Sequence, residues 1–246
     1  MAEFETVRRT AAGVRTAEID EGLRAHMNKV YGTMSVGLLV TAGVAWAFGT
    51  SPALLSILRN PETLSPNLLG YAVMFAPLIM VFAFGSMINR LSAAGAQTFF
   101  YFFAAVMGLS ISWIFAAFTG ISIAQTFLIT SISFAGLSLY GYTTKRDISG
   151  WGSFLIMGVI GLVVAMIVNL FLQSPAIMFA VSVLGVLIFA GLTAYDTQKI
   201  KTDYIMHAQS MDSEWLGKSA IMGALNLYLD FINLFMFLLQ FLGNRE

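Results

Sequence analysis

The chain has no cysteine among its 246 residues, which excludes disulfides, thiolate zinc sites, iron–sulfur clusters, thiol catalysis and cysteine lipidation together. Charge is scarce: 11% of residues are Asp, Glu, Lys or Arg, less than half the roughly 25% of an ordinary soluble domain. Basic and acidic side chains balance at 13 each. The concentrated basic stretch at the N-terminus also carries Glu3, Glu5, Glu18, Asp20 and Glu21, so no face for nucleic acid is expected. The two histidines, His26 and His207, fall outside the apolar runs, which leaves serine–histidine chemistry nothing to use inside a membrane. Lys145, Lys199, Lys201 and Lys218 also lie outside those runs, so a membrane-embedded Schiff base is not expected. The polar, acid-containing start resembles neither a cleavable signal nor an organelle import sequence. The first apolar segment is therefore expected to direct its own insertion.

Apolar residues are abundant, at 58% of the chain, more than one water-facing core can hide. A bilayer core of about 30 Å takes roughly 20 apolar residues as a helix, and seven such windows occur: 31–48, 68–88, 98–118, 121–142, 151–172, 176–198 and 219–242. Polar or Gly/Pro breaks separate them. Ser51-Pro52, Asn60-Pro61 and Ser65-Pro66 bracket the longest early loop, while Thr119-Gly120 and Ser174-Pro175 make tight turns between antiparallel neighbours. The polar stretches 1–30 and 199–218 are too short for a core of their own. The expected architecture is all-α: a polar tail over 1–30 and one seven-helix transmembrane domain over 31–246.

Positive charge in short loops marks the cytoplasmic side. With the N-terminus inside, Arg8, Arg9, Arg15, Arg24, Lys29, Arg90, Lys145, Arg146, Lys199, Lys201 and Lys218 are cytoplasmic, and only Arg59 and Arg245 lie opposite. That asymmetry supports seven spans, N-terminus in and C-terminus out. A six-span alternative, with the last segment re-entrant, merely moves Arg245 across and stays open on charge alone.

Two of the 13 acids fall inside apolar segments: Asp196 near the end of the sixth and Asp230 in the middle of the seventh. An aspartate at mid-membrane costs about 2.5–3.5 kcal/mol on insertion scales, so it normally faces the bundle interior and marks a pathway or a partner. Ser219, Gly223, Asn226, Asp230, Asn233 and Gln240 recur at helical spacing along one stripe, with apolar residues on the remaining faces. Such a helix belongs amid others, so the seventh is read as central. For Ser219, Gly223 and Asn226 a small-residue packing seam explains the pattern equally well. Asp196 lies three residues before Lys199, so an interfacial ion pair remains open for it, as a snorkelling boundary role does for Arg90. Asp230 lies deeper than Asp196 if the helices end at the apolar runs. For the two carboxyls to meet, the sixth helix must continue past Lys199 or the seventh must begin before Ser219.

Three blocks, Ser138–Gly150 (SLYGYTTKRDISG), Gly185–Lys201 (GVLIFAGLTAYDTQKIK) and Ala224–Leu238 (ALNLYLDFINLFMFL), resemble the Bax inhibitor-1 family, in the form of its bacterial members. The similarity runs from the first span to the C-terminus. The resemblance implies six helices around a central seventh. It also implies a pH-sensitive calcium leak, opened by acid, whose gate is a pair of aspartates matching Asp196 and Asp230, with Arg90 as switching partner. Tyr195, Gln198, Asn226 and Asn233 are taken as supporting polar residues. Two close carboxylates in a low-dielectric setting cannot both ionise cheaply and titrate as a unit. Calcium prefers six to eight oxygens, so two carboxylates with nearby amides and water make a weak, transient site, suited to a permeant ion. No cofactor is expected, and the expected partners are the bilayer, protons and calcium.

Other classes were weighed. An intramembrane aspartyl protease also uses aspartates on adjacent helices, but Leu227-Tyr228-Leu229-Asp230 lacks the flanking glycines that admit a substrate backbone, and the chain is not expected to be an enzyme. A proton-coupled transporter uses paired carboxylates too, yet inverted repeats and broken helices are not evident. The resemblance further implies a regulatory role, with the N-terminal tail contacting a membrane protease or a cell-death partner. A bacterial inner membrane is the expected location.

Overall fold

The computed structural model describes residues 2–60, 62–63 and 65–245, with side chains from residue 19 onward. Pro61 and the side chains of Glu3, Glu5, Arg8, Arg9, Arg15 and Glu18 lie outside the described residues. Nine helices form among those described: α1 (Ala2–Thr50), α2 (Pro52–Leu58), α3 (Leu68–Met87), α4 (Ala93–Ile111), α5 (Ile114–Ala117), α6 (Gly120–Thr143), α7 (Trp151–Leu172), α8 (Pro175–His207) and α9 (Ser213–Leu242). Seven spans are long and apolar enough to cross a membrane: Ile19–Thr50, Leu68–Met87, Ala93–Ala117, Gly120–Thr143, Trp151–Leu172, Pro175–His207 and Ser213–Leu242. The chain is a polytopic all-α membrane protein, as its composition requires.

Side chains mark the helix starts. Asn67, Ser92, Thr119, Ser174 and Asp212 each accept a backbone N–H from the first turn of the helix that follows, satisfying donors that an isolated helix start leaves unpaired. Pro52 and Pro175 occupy the first turns of α2 and α8, where the missing N–H costs nothing.

Four boundaries outrun the apolar runs: α1 is helical long before residue 31 and α4 starts at Ala93, five residues before 98, and the remaining two lie at the end of α8 and the start of α9. α8 continues through Lys199 and Lys201 to His207, with no glycine or proline to interrupt Leu192–His207 and with Gln198, Lys199 and Lys201 as good helix formers, and α9 begins at Ser213. Both extensions needed for Asp196 to meet Asp230 are therefore present. The third span is not one helix: the chain turns between α4 and α5, where Ser112 Oγ donates to the Leu109 carbonyl at 2.8 Å.

α9 is the axis of the bundle. Its most apolar stretch is 72% buried, against 17% to 33% for the other six spans. α1, α4, α6 and α8 pack directly on it, while α3 packs on α4 and α7 on α8 at the periphery. The ring around the central helix is thus uneven, with four close neighbours and two outer helices. Close approach depends on missing side chains in places. Gly141 of α6 lies against the Ala194 backbone of α8, and a Cβ at Gly108 of α4 would fall 2.6 Å from the Thr41 carbonyl of α1.

α9 is also anchored at both ends of the bundle. Near its start Glu214 Oε1 accepts the Ala93 N–H at 2.5 Å, at the beginning of α4. Beyond its other end Arg245 pairs with Phe118, and the Thr119 N–H donates to the Asn244 carbonyl at 3.1 Å, just past α5. Those anchor points are opposite ends of the third span, so α9 runs the whole length of the bundle as one helix, without a re-entrant turn.

Candidate functional site

Asp230 sits where α9 is most enclosed, flanked by fully buried Leu227 and Tyr228 and by buried Phe231, and is itself only 4% exposed. Its Oδ2 has no hydrogen-bond partner. The antiparallel pairing of α8 with α9 brings the half-buried Asp196 beside it, close enough for the two carboxyls to interact. Carboxylates only accept hydrogen bonds, so the two groups can bond to each other only when one of them carries a proton. Lys199, one turn further along α8, is the cation whose charge acts on Asp196.

The other expected site residues are distributed differently. Arg90 is exposed in the turn after α3, and among the described residues no ion pair ties it to either aspartate. Gln198 points away from the pair: its Nε2 donates to the Arg146 carbonyl at 2.8 Å and its Oε1 accepts the Ile148 N–H at 2.9 Å, fastening the α6–α7 loop to α8. The Tyr195 hydroxyl lies where a Cβ on Gly152 of α7 would be, 2.6 Å away. Asn233 Nδ2 donates to the Leu229 carbonyl of its own helix at 2.8 Å. Asn226 is half-buried one turn before Asp230, and Gln240 accepts from Ser182 Oγ at 3.3 Å across to α8.

Several polar contacts around the pair were not foreseen. Tyr31 of α1 and Ser138 of α6 share a hydrogen bond at 2.5 Å, and Ser138 and Thr197 of α8 share another at 3.0 Å. Thr197 Oγ1 donates to Thr193 O at 2.7 Å, so the hydrogens run from Tyr31 toward α8. Thr41 of α1 meets the Tyr228 hydroxyl at 2.6 Å and donates to Ala104 O at 2.8 Å, joining α1, α4 and α9 two residues from Asp230. Buried His26 packs its ring, tilted, 4.8 Å from that of Tyr204 of the extended α8, its Nε2 unpartnered. None of these belongs to a local spacing pattern; the sequence signal available was only a hydroxyl or ring within an apolar segment.

Among the described residues no three His, Cys, Asp or Glu side chains converge as a metal cluster would. The acidic side chains at this site are the two aspartates.

Residues 23–246 match the family described as inhibitor of apoptosis-promoting Bax1. The chain is 47% identical over 225 residues to the inner membrane protein YbhL of Escherichia coli, covering 92% of this chain and 94% of that protein. It is 44% identical over 232 residues to an uncharacterized protein of Caulobacter vibrioides, covering 93% and 92%. It is also 44% identical over 229 residues to one of Rickettsia prowazekii, covering 92% of each. With nearly its whole length matched, the chain belongs to the Bax inhibitor-1 family.

Proposed function

We propose that this protein is a pH-sensitive calcium leak whose gate is the Asp196–Asp230 pair. The observation that carries the reading is the close approach of two carboxyls on adjacent helices, one of them buried and unpartnered at Oδ2 in the central helix. An ionised carboxylate buried without partners is costly, and a second negative charge at contact distance adds repulsion that a low dielectric magnifies. One proton held between the two groups relieves both costs and ties α8 to α9. The tie exists while that proton is present and is lost as pH rises enough to remove it.

Once both carboxyls are ionised, the site attracts any cation within reach. Lys199 is adjacent, and Arg90 reaches the pair only through movement of the α3–α4 turn, which makes gating a change of partners. Acid restores the shared proton, displaces the competing cation, and leaves a site of single negative charge that calcium crosses without being retained. Two carboxylates supply too few oxygens for tight calcium binding, which suits passage. By analogy with its Escherichia coli relative, the protein resides in an inner membrane. The excess of Lys and Arg at the end holding Arg24, Arg90 and Lys145 supports a cytoplasmic side there, with the N-terminus inside and the C-terminus outside.

The test is calcium flux in proteoliposomes carrying an internal indicator, followed after a pH jump. Flux rises on acidification in the wild type, and Asp196→Asn and Asp230→Asn each lose the pH step. A pH response unchanged in both variants removes the proposal, and flux that saturates with a co-solute gradient identifies a transporter instead.

A further inference from the structure

A cavity of about 850 Å³ lies between α1 and α6, within the roughly 300–1,000 Å³ typical of small-molecule sites. It exists because these two helices are held mainly by others: α1 by α4, α8 and α9, and α6 by α8 and α9. The Tyr31–Ser138 hydrogen bond bridges them and fixes their antiparallel register. One end of the cleft is therefore formed by Arg24, Asn28 and Tyr142, and the other by Leu38, Ala42 and Phe127, with Phe231 of α9 in the wall.

That gradient of polarity follows the membrane normal. From Tyr31 to Ala42 at 1.5 Å per residue is about 16 Å, the depth of one leaflet in a hydrocarbon core about 30 Å thick. The rim residues Leu39 and Leu139 are 73% and 63% exposed, a surface suited to hydrocarbon and not to water. At the polar end the exposed Arg24 contributes a guanidinium, and Lys201 adds charge close by, donating to the Tyr142 carbonyl at 2.6 Å. Guanidinium matches phosphate geometry with paired donors.

We propose that this cleft binds an anionic phospholipid from the surrounding bilayer, its acyl chain filling the apolar depth and its phosphate meeting Arg24. Asn28 and Tyr142 supply further donors to the headgroup. The lipid would lie against Phe231, next to Asp230, and beside Ser138, which bonds to Thr197 next to Asp196. It would thus contact the packing that holds the two aspartates without touching either. Binding itself is independent of the calcium reading and is tested without flux.

The experiment is native mass spectrometry of the purified full chain in detergent, titrated with dioleoyl phosphatidylglycerol or dioleoyl phosphatidylcholine. Phosphatidylglycerol is expected to be retained in preference. Arg24→Gln should weaken its binding about fivefold, the usual effect of one near-surface cation. Ala135→Trp, which fills the cleft, should abolish retention, with thermal unfolding checking that each variant is folded. Should Ala135→Trp fail to fold, Arg24→Gln alone decides. Equal retention of the two lipids by the wild type, or unchanged phosphatidylglycerol affinity in Arg24→Gln, overturns the proposal.

Discussion

Alanine at Gly141 tests the packing that holds α6 against α8 beside the aspartate pair. A Cβ there would stand 3.0 Å from the Ala194 carbonyl carbon and 3.1 Å from its Cα, and nearer still to its oxygen. Against the 3.5–4.0 Å optimum for carbon contacts, the shortfall is roughly 0.5–1 Å. The neighbour is backbone, which cannot rotate aside, so the helices must separate. Overpacking of this kind costs about 1–3 kcal/mol, partly offset by the roughly 1 kcal/mol that alanine gains over glycine inside a helix. A net loss of up to about 2 kcal/mol lowers Tm by as much as roughly 8 °C for a chain of this size. Gly136, five residues earlier on the same helix, has nothing within 4 Å of its Cβ position, so Gly136→Ala should raise Tm or leave it unchanged. Thermal unfolding of both variants in one detergent reads the difference. Gly141→Ala as stable as Gly136→Ala would refute the close approach of α6 and α8.

Tyr228→Phe removes one partner of Thr41, which keeps its bond to Ala104 O, so the loss should be about 1 kcal/mol. Thr41→Val strands the buried Tyr228 hydroxyl and should cost more, about 1–3 kcal/mol; the order of the two Tm values checks this. Gln198→Ala cuts both bonds to the α6–α7 loop, so hydrogen exchange at the Ile148 amide should accelerate about tenfold, the equivalent of one such bond, while α9 amides remain protected.

The bundle was legible because hydropathy and length nearly determine a membrane helix. The apolar runs 68–88 and 151–172 end within a residue of α3 and α7. Runs that continue as helix into polar sequence were cut short, as at Lys199, since a count of apolar residues ends where solvent begins and hydrogen bonding does not. The break at Ser112 was hidden because no glycine or proline announces it. Asp230 and its central helix followed from spacing: one carboxylate on one polar stripe has few places to face. The contacts of Tyr31 with Ser138 and of Thr41 with Tyr228 were not legible, because residues 107 and 187 positions apart meet only through tertiary packing. The same holds for Gln198, whose neighbours in sequence suggested the aspartate pair while its helical face pointed to the α6–α7 loop.

Infrared difference spectroscopy of the carboxyl C=O stretch tests the shared proton most directly. Wild-type protein at neutral pH should show a protonated-carboxyl band that disappears on alkalinisation and that moves or vanishes in both Asp196→Asn and Asp230→Asn. The absence of any such band at neutral pH, or a band that either substitution leaves untouched, would contradict the account.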